Sequence, residues 1–157
     1  MKDVRNRKER QMTEDTSTAL HDLVRRTFAT LEAKDLEAMM SLFAEDAVLV
    51  DPHFPTPQMQ GKAAIRKGFE GAMNGMRSFG YTIVNYCESE DGQCAAVETA
   101  THHVLKPGIK RDFPQVFIFE VANEQITRLQ AYEPYGPHGI LGAFLSLARL
   151  ASRFVNG

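Results

Sequence analysis

The apolar residues of the first third of the chain recur with the period of a helix. They fall at positions i, i+3, i+4, i+8 and i+11, which places them on one face of a helix over about 17–33. The members of this face are Leu20, Leu23, Val24, Phe28 and Leu31. Asp35 then stands where a side-chain oxygen caps a second, short helix with its own apolar face. The pattern therefore predicts two helices at the start of the folded part.

A short apolar run, a proline-rich segment and a third helical pattern come next. Residues 47–50 read Ala-Val-Leu-Val and predict a strand that ends at Asp51. Residues 53–60 hold two prolines and predict a loop. Gly61 precedes a helix with a third apolar face. That face is predicted to contain Ile65, Phe69, Ala72, Met73 and Met76.

From Tyr81 onward the pattern changes to extended segments joined by short turns. The predicted strands cover about 79–89, 93–106, 112–122 and 125–133. Short turns between successive strands indicate an antiparallel meander. Helices gathered first and strands gathered later are typical of the α+β class. We therefore expect three N-terminal helices packed on one face of a curved antiparallel sheet.

The two ends of the chain differ from this body. Residues 1–15 are polar and cationic and predict a disordered tail, with Met1 and Met12 both open as the true start. Residues 16–135 form the predicted domain, and residues 136–157 predict an apolar helical extension. Three roles stay open for this extension: packing on the body or over a cavity mouth, forming a subunit interface, or contacting a membrane surface.

Composition narrows the class of partner. The chain has 157 residues, 43% of them hydrophobic, which is enough for one domain with a full core. Its net charge of −2 gives no electrostatic footprint for nucleic acid or for an anionic membrane. With no apolar leader run, we expect a cytoplasmic protein, with Cys87 and Cys94 as reduced thiols. The expected partner is a small molecule or a protein.

Motifs for cofactor chemistry do not occur in the sequence. We find no glycine-rich phosphate loop, no nucleophile elbow and no cluster with metal-ligand spacing. We therefore expect neither a cofactor nor a metal. Any reaction would be acid–base work by side chains alone.

The order of the elements resembles the nuclear transport factor 2-like superfamily and its SnoaL-like group. Two runs carry the resemblance, LFAEDAVLVDP at 42–52 and GKAAIR at 61–66, within a similarity that spans about 18–133. The superfamily includes ketosteroid isomerases, enzymes like limonene epoxide hydrolase, polyketide cyclases and non-enzymatic binders, so fold alone does not give function. The resemblance implies a cone-shaped α+β roll with one pocket for a small apolar molecule, and a homodimer formed through the convex faces.

Comparison with the ketosteroid isomerases assigns roles to three positions. Asp51 falls where that family carries its general base. Thr27 falls where the family carries an oxyanion-hole tyrosine, and its hydroxyl is too short to reach equally far. Gln115 falls where a protonated aspartate donates a hydrogen bond, and a glutamine amide donates without a raised pKa. The general base is thus present as Asp51, the aspartate donor is replaced by Gln115, and the tyrosine donor is missing.

Comparison with limonene epoxide hydrolase disfavours epoxide hydrolysis. The positions of its Arg and Asp hold Thr101 and His103, and its last-strand Asp falls on Ala131. The same alignment places Thr101 and His103 on the concave face of the sheet. A neutral imidazole there suits a proton shuttle that partners Asp51. A purely structural, hydrogen-bonded role for His103 stays open.

Alternative interpretations also stay open for the other polar candidates. Asp51 precedes Pro52 and suits capping of the following turn as well as catalysis. His53 suits either the pocket entrance or an ordinary loop position. Glu133 suits a second carboxylate at the pocket rim or an exposed strand end.

An aromatic strand face completes the candidate site. One face of a predicted strand carries Gln115, Phe117 and Phe119 at alternate positions. Two interpretations stay open: an apolar ligand-binding wall with one polar group that orients the ligand, or core packing in which the amide is hydrogen-bonded. The leading hypothesis is a cofactor-free isomerase or cyclase for a ketone-bearing apolar substrate, with Asp51 as base, His103 as its partner and Gln115 as donor. The alternative is a non-catalytic ligand-binding or dimeric interaction domain.

Overall fold

Three helices precede most of the sheet, as the apolar periodicity predicts. The structure, a computed structural model, describes residues 19–133. Helix α1 covers 19–33, α2 covers Leu36–Ser41 and α3 covers Lys62–Gly75. Asp35 caps α2, since its carboxylate accepts the backbone N–H of Ala38 at 2.9 Å. No helix in the described range is both long and apolar enough to cross a bilayer.

Seven strands form one strongly curled sheet. In chain order they are β1 Phe43–Val50, β2 Gln58–Gln60, β3 Met76–Ser78, β4 Tyr81–Glu88, β5 Cys94–Leu105, β6 Ile109–Ala122 and β7 Gln125–Tyr132. The order in space is β2-β1-β7-β6-β5, and both β3 and β4 pair with the free side of β5. The short strands β2 and β3 were not predicted, because neither has enough residues to show an alternating pattern. The predicted tail 1–15 and the predicted extension 136–157 lie outside the described residues.

The prediction of a purely antiparallel sheet is wrong at one position. Strand β1 runs parallel to β7, with Leu49 opposite Leu129 and Val50 opposite Gln130. All the other pairings are antiparallel. Helix α3 and the strands β2 to β6 intervene between β1 and β7, so no turn sets the direction in which β1 joins. Turn signals therefore predict the meander correctly but not the placement of β1.

The core lies between α1 and the concave face of the sheet. The ring of Phe28 on α1 packs 4.7 Å from Tyr81, 5.3 Å from Phe117 and 6.0 Å from Phe119, measured between ring centroids. Phe119 is fully buried in this cluster. These edge-to-face and tilted contacts hold α1 over the strands β4 to β6.

The hairpin between β4 and β5 has the register of a two-residue turn at Asp91-Gly92. Cys87 lies opposite Ala96 and Glu88 lies opposite Ala95. Both Cys87 and Cys94 are free, and neither faces the other across the ladder.

Truncation of Phe119 should destabilise the fold strongly. Phe119→Ala removes a buried ring and leaves a cavity, so we expect a loss of about 3–5 kcal/mol in the free energy of unfolding. Urea denaturation at 25 °C measures this loss. Ile109→Ala, at an exposed apolar position at the start of the same strand, is the matched control and should cost less than about 1 kcal/mol. Equal losses for the two variants would contradict the placement of Phe119.

Candidate functional site

A cavity of about 770 Å³ lies between α3 and the concave face of the sheet. Most of the α3 residues that border it are glycine or alanine, and the larger ones are Lys67 and Phe69. A Cβ added at Gly71 or Gly75 would meet no atom within 4 Å, so this helix face leaves open space. Most of the remaining wall is apolar. It includes Leu31, Leu49, Met59, Phe79, Phe113, Phe117 and Leu129. The volume and apolar lining suit a small, largely apolar ligand.

Asp51, His53 and Glu133 meet at one end of this cavity. Asp51 lines it at the end of β1, and its Oδ1 accepts the backbone N–H of His53 at 2.9 Å. The imidazole Nδ1 of His53 lies 3.4 Å from the same Oδ1 and forms an ion pair with Glu133. Asp51 therefore caps its turn and faces the cavity at the same time. Glu133 is mostly buried at the rim rather than exposed.

Burial makes the two carboxylates stronger bases than exposed ones. Loss of hydration raises the pKa of Asp51, and the hydrogen bond and charge of His53 only partly oppose this. Loss of hydration also raises the pKa of Glu133; the charge of His53 opposes it, while the charge of Asp51 adds to it.

A chain of hydrogen bonds connects Glu133 to the interior of the sheet. Gln115 is only 3% exposed, and its Nε2 donates to Glu133 at 2.9 Å. Its Oε1 accepts the hydroxyl of Thr101 at 2.8 Å, and Thr101 lies 3.1 Å from the hydroxyl of Thr99. Both ends of the Gln115 amide are thus engaged, which orients Glu133 toward His53.

Tyr81 and His103 form a second polar pair on the cavity wall. The Tyr81 hydroxyl lies 3.5 Å from Nε2 of His103, and both residues line the cavity. The imidazole is 8% exposed and makes edge contacts with the rings of Phe79 at 5.2 Å and Phe113 at 5.8 Å. Its Nδ1 is buried and has no hydrogen-bond partner among the described residues.

The burial of this pair decides its protonation. Burial lowers the pKa of His103, so the imidazole is neutral at pH 7. The tautomer protonated on Nε2 directs its N–H toward the Tyr81 oxygen and leaves the Tyr81 proton free for another acceptor. Burial, with a smaller contribution from the charge of Asp51, raises the pKa of Tyr81. Tyr81 therefore keeps its proton and can donate it to a ligand oxygen.

Tyr81 was missed in the sequence because a bulge changes the face on which it lies. The turn register, with Cys87 opposite Ala96, extrapolates to Tyr81 opposite His102 on the convex face. The register shifts between Ile83 and Asn85, so Tyr81 lies opposite Thr101 instead. One inserted residue moves every preceding side chain of the strand to the other face. No turn or composition signal marks this bulge.

The other predicted site residues divide into two groups. Phe117 lines the cavity with Asp51, His53, His103 and Gln115. Thr27, Thr101 and Phe119 are fully buried and do not line it. The Thr27 hydroxyl donates to the carbonyl oxygen of Leu23 at 2.8 Å, within α1. In this structure the histidine that contacts Asp51 is His53, whereas His103 contacts Tyr81.

Three of these side chains have the arrangement of a metal-ligand set. Asp51, His53 and Glu133 each place one ligand atom within 4.8 Å of the others. One imidazole nitrogen and two carboxylate oxygens suit a divalent ion such as Zn²⁺. The ion pair between His53 and Glu133 satisfies the same atoms without an ion.

The sequence profile of the SnoaL-like domain matches residues 24–129, which is more than half of the chain. The chain belongs to the SnoaL-like domain family. This confirms the resemblance that the two sequence runs indicate. Among curated proteins, no sequence matches this SnoaL-like chain significantly.

Solved structures of other proteins share the SnoaL-like fold. RV0760c from Mycobacterium tuberculosis, in complex with estradiol-17β-hemisuccinate, is 21% identical with a TM-score of 0.66, covering 73% of this chain and 92% of that chain. A Δ5-3-ketosteroid isomerase from Mycobacterium sp. is 20% identical with a TM-score of 0.66 and the same coverage. TerC, co-crystallised with polyporic acid, is 13% identical with a TM-score of 0.63, covering 73% and 91%. At these identities the likeness shows the fold alone.

Removal of the Asp51 carboxylate should change how stability depends on pH. Because burial raises the pKa of Asp51, its contribution to stability is fully present below its ordinary pKa of about 4 and is lost as the pH rises through the folded pKa. We expect Asp51→Asn to gain stability relative to the wild type as the pH rises from about 4 to 7. Urea denaturation at several pH values tests this.

The exposed variant Asp46→Asn serves as the control for this titration, since it removes one carboxylate outside the cavity. An Asp51→Asn difference that stays constant across the pH range would contradict the burial of an ionisable Asp51.

Proposed function

We propose that this SnoaL-like protein binds a small, largely apolar ketone in the cavity and moves a proton next to the carbonyl group, as a cofactor-free isomerase or cyclase. The observation that carries the proposal is the pairing of a buried base with a protonated donor in one apolar cavity. Asp51 is the base and Tyr81 is the donor. A base with a raised pKa accepts a carbon-bound proton more readily than an exposed carboxylate.

The proposed step needs no external reactant. Asp51 takes a proton from the carbon beside the carbonyl, the C–H bond breaks, and its electron pair moves to give an enolate. Tyr81 donates a hydrogen bond to the oxygen on which the negative charge develops. In a substrate with a C=C bond one carbon further from the carbonyl, the protonated Asp51 returns the proton to the far end of the conjugated dienolate, which moves the double bond. For a cyclase the enolate carbon instead attacks a second carbonyl carbon of the substrate, the C=O π bond breaks, and the new alkoxide takes the proton from Asp51.

The remaining polar residues are positioning residues in this proposal. His53 holds Asp51 and Glu133 in place, and Gln115 holds Glu133. His103 orients the Tyr81 hydroxyl from Nε2. The assignment replaces the predicted pairing of Asp51 with His103 and the predicted donor Gln115, because the amide of Gln115 is engaged at both ends.

The ligands of two similar structures support an apolar, oxygen-bearing substrate. RV0760c holds estradiol-17β-hemisuccinate and TerC holds polyporic acid. Both molecules are ring systems with oxygen substituents, and a cavity of about 770 Å³ has room for molecules of this size.

A non-catalytic ligand-binding protein is the second candidate. Thr27 favours this candidate, because it stands where the ketosteroid isomerases carry their oxyanion-hole tyrosine. Its hydroxyl donates to a backbone carbonyl oxygen within α1 and so does not act as that donor. In this case the polar residues only orient a bound molecule.

Hydrogen–deuterium exchange of a ketone distinguishes the two candidates. We expect the protein to accelerate exchange at the carbon beside the carbonyl of 2-tetralone in D₂O, measured by NMR. Asp51→Asn should lower the accelerated rate by about 100-fold or more, because it removes the base. Tyr81→Phe should lower it by about 100-fold, because it removes the hydrogen bond to the developing oxyanion.

Ligand-observed NMR on the same samples reports binding separately from exchange, and Asp46→Asn is the control outside the cavity. Binding of 2-tetralone without accelerated exchange would favour the non-catalytic candidate. Accelerated exchange that survives Asp51→Asn would remove Asp51 from the mechanism.

We also propose that two copies associate through their convex faces. Val84, Val116 and Tyr132 are exposed apolar residues on β4, β6 and β7 of this face, and Val116 lies directly opposite Tyr132. Val116 and Tyr132 form a short apolar row on this face, and Glu98 of β5 separates this row from β4. Exposed apolar side chains on a sheet face are typical of an interface. The interface would leave the cavity on the opposite face open to ligand.

Light scattering should therefore report a mass of twice 17.6 kDa for the wild type. Val116→Asp should shift the mass to that of one chain, because a charge would be buried in the apolar row. Asn74→Asp, an exposed position on α3, is the control and should leave the mass unchanged. A single-chain mass for the wild type at tens of micromolar would refute the dimer.

A further inference from the structure

Two cationic side chains border the mouth of the cavity from opposite walls. Lys67 extends from α3 and Arg111 from β6, and both line the cavity and are exposed. Arg111 lies opposite His103 in the ladder between β5 and β6, so it stands on the concave face. The other cavity-lining residues of α3 are glycines, alanines and the buried Phe69, so Lys67 carries the charged side chain of that wall.

These two cations differ from their neighbours in having no acidic partner among the described residues. On the same helix, Lys62 pairs with Glu45 at 3.1 Å and Arg66 pairs with Glu37 at 2.5 Å. Neither Lys67 nor Arg111 forms such a pair within residues 19–133. The carboxylate that lines the cavity, Asp51, and the neighbouring Glu133 contact His53 instead. The positive charge at the mouth is therefore available to a ligand.

The concave face of β6 changes from charged to apolar along its length. Arg111 stands at the rim, and Phe113, Gln115 and Phe117 follow inward at alternate positions and line the same cavity. At roughly 3.3 Å per residue, Arg111 lies about 13 Å along the strand from Gln115. An elongated apolar molecule that reaches the inner polar residues thus has its other end at Arg111 and Lys67.

We propose that Lys67 and Arg111 form a subsite for the anionic group of an apolar organic acid, such as a carboxylate or sulfonate. The proposal rests on ligand binding in the cavity and adds the substrate class: a molecule with an apolar body and an acidic end. Because both cations are exposed and screened by salt, each contributes a modest gain in affinity, about two- to five-fold, and together about ten-fold.

Two fluorescent probes that differ only in the anionic group test the subsite. 8-Anilinonaphthalene-1-sulfonate carries a sulfonate, and N-phenyl-1-naphthylamine is the same ring system without it. We expect the sulfonate to bind about ten-fold more tightly at low salt, with the preference shrinking as salt is raised. The double variant Lys67→Gln, Arg111→Gln should lose this preference and bind the neutral probe as the wild type does.

Lys110→Gln is the matched control. Lys110 lies next to Arg111 but opposite Val104, on the other face of β6, and it does not line the cavity. This variant removes the same charge and should change neither affinity. Equal wild-type affinities for the two probes, or equal losses in Lys110→Gln and in the double variant, would overturn the anionic subsite.

A variant that fills the cavity separates this result from failure of the proposed function. Gly71→Leu places a side chain in the open space beside α3 and should weaken both probes together. If the neutral probe binds the wild type but not Gly71→Leu, the cavity is the binding site even when no preference for the sulfonate is found. If Gly71→Leu leaves both affinities unchanged, or neither probe binds the wild type, both the cavity proposal and the subsite fail.

Discussion

Contacts among the aromatic rings of Phe28, Phe117 and Phe119 hold α1 against one half of the concave face of the sheet. The rest of the structure depends on what covers the other half. Helix α3 lies there, and its large residues pack toward β1 and the following loop; Phe69, for example, contacts Phe43 and Phe54. The residues of α3 toward the cavity are mostly glycines and alanines, which cannot fill the space under the curled sheet. One face of the sheet thus provides both a packed core and a cavity.

Polar groups placed in such an apolar space must satisfy one another. A line of contacts runs from Thr101 through Gln115 and Glu133 to His53 and Asp51, and joins β5, β6, the end of β7 and the loop after β1. The same burial that makes these bonds necessary raises the pKa of the two carboxylates. Burial is therefore the common cause of the hydrogen bonds that these groups form and of the raised basicity of the carboxylates. This explains why Asp51 both caps its turn and faces the cavity.

Much of the fold follows from local pattern. The helical periodicity gives α1, α2 and α3, and the turn at Asp91-Gly92 gives the register of the hairpin beside it. Asp51 and Gln115 both line the cavity. The resemblance to the ketosteroid isomerases indicates these two positions, and alternation with Phe117 and Phe119 gives the face of Gln115. The parallel pairing of β1 with β7 was not predicted, because these strands are far apart in sequence and no turn constrains how they meet.

The sequence by itself determined the three helices, the longer strands, the family and the carboxylate at the end of β1, since each rests on residues close together in the chain. Only the tertiary structure decided which groups share the cavity. The bulge between Ile83 and Asn85 turns Tyr81 inward, next to His103, and no local signal marks it. The loop after β1 brings His53 between Asp51 and Glu133, which are far apart in sequence. Both outcomes depend on how distant segments pack together, because a one-residue shift of register or a loop closure changes a side chain's surroundings without changing the sequence pattern.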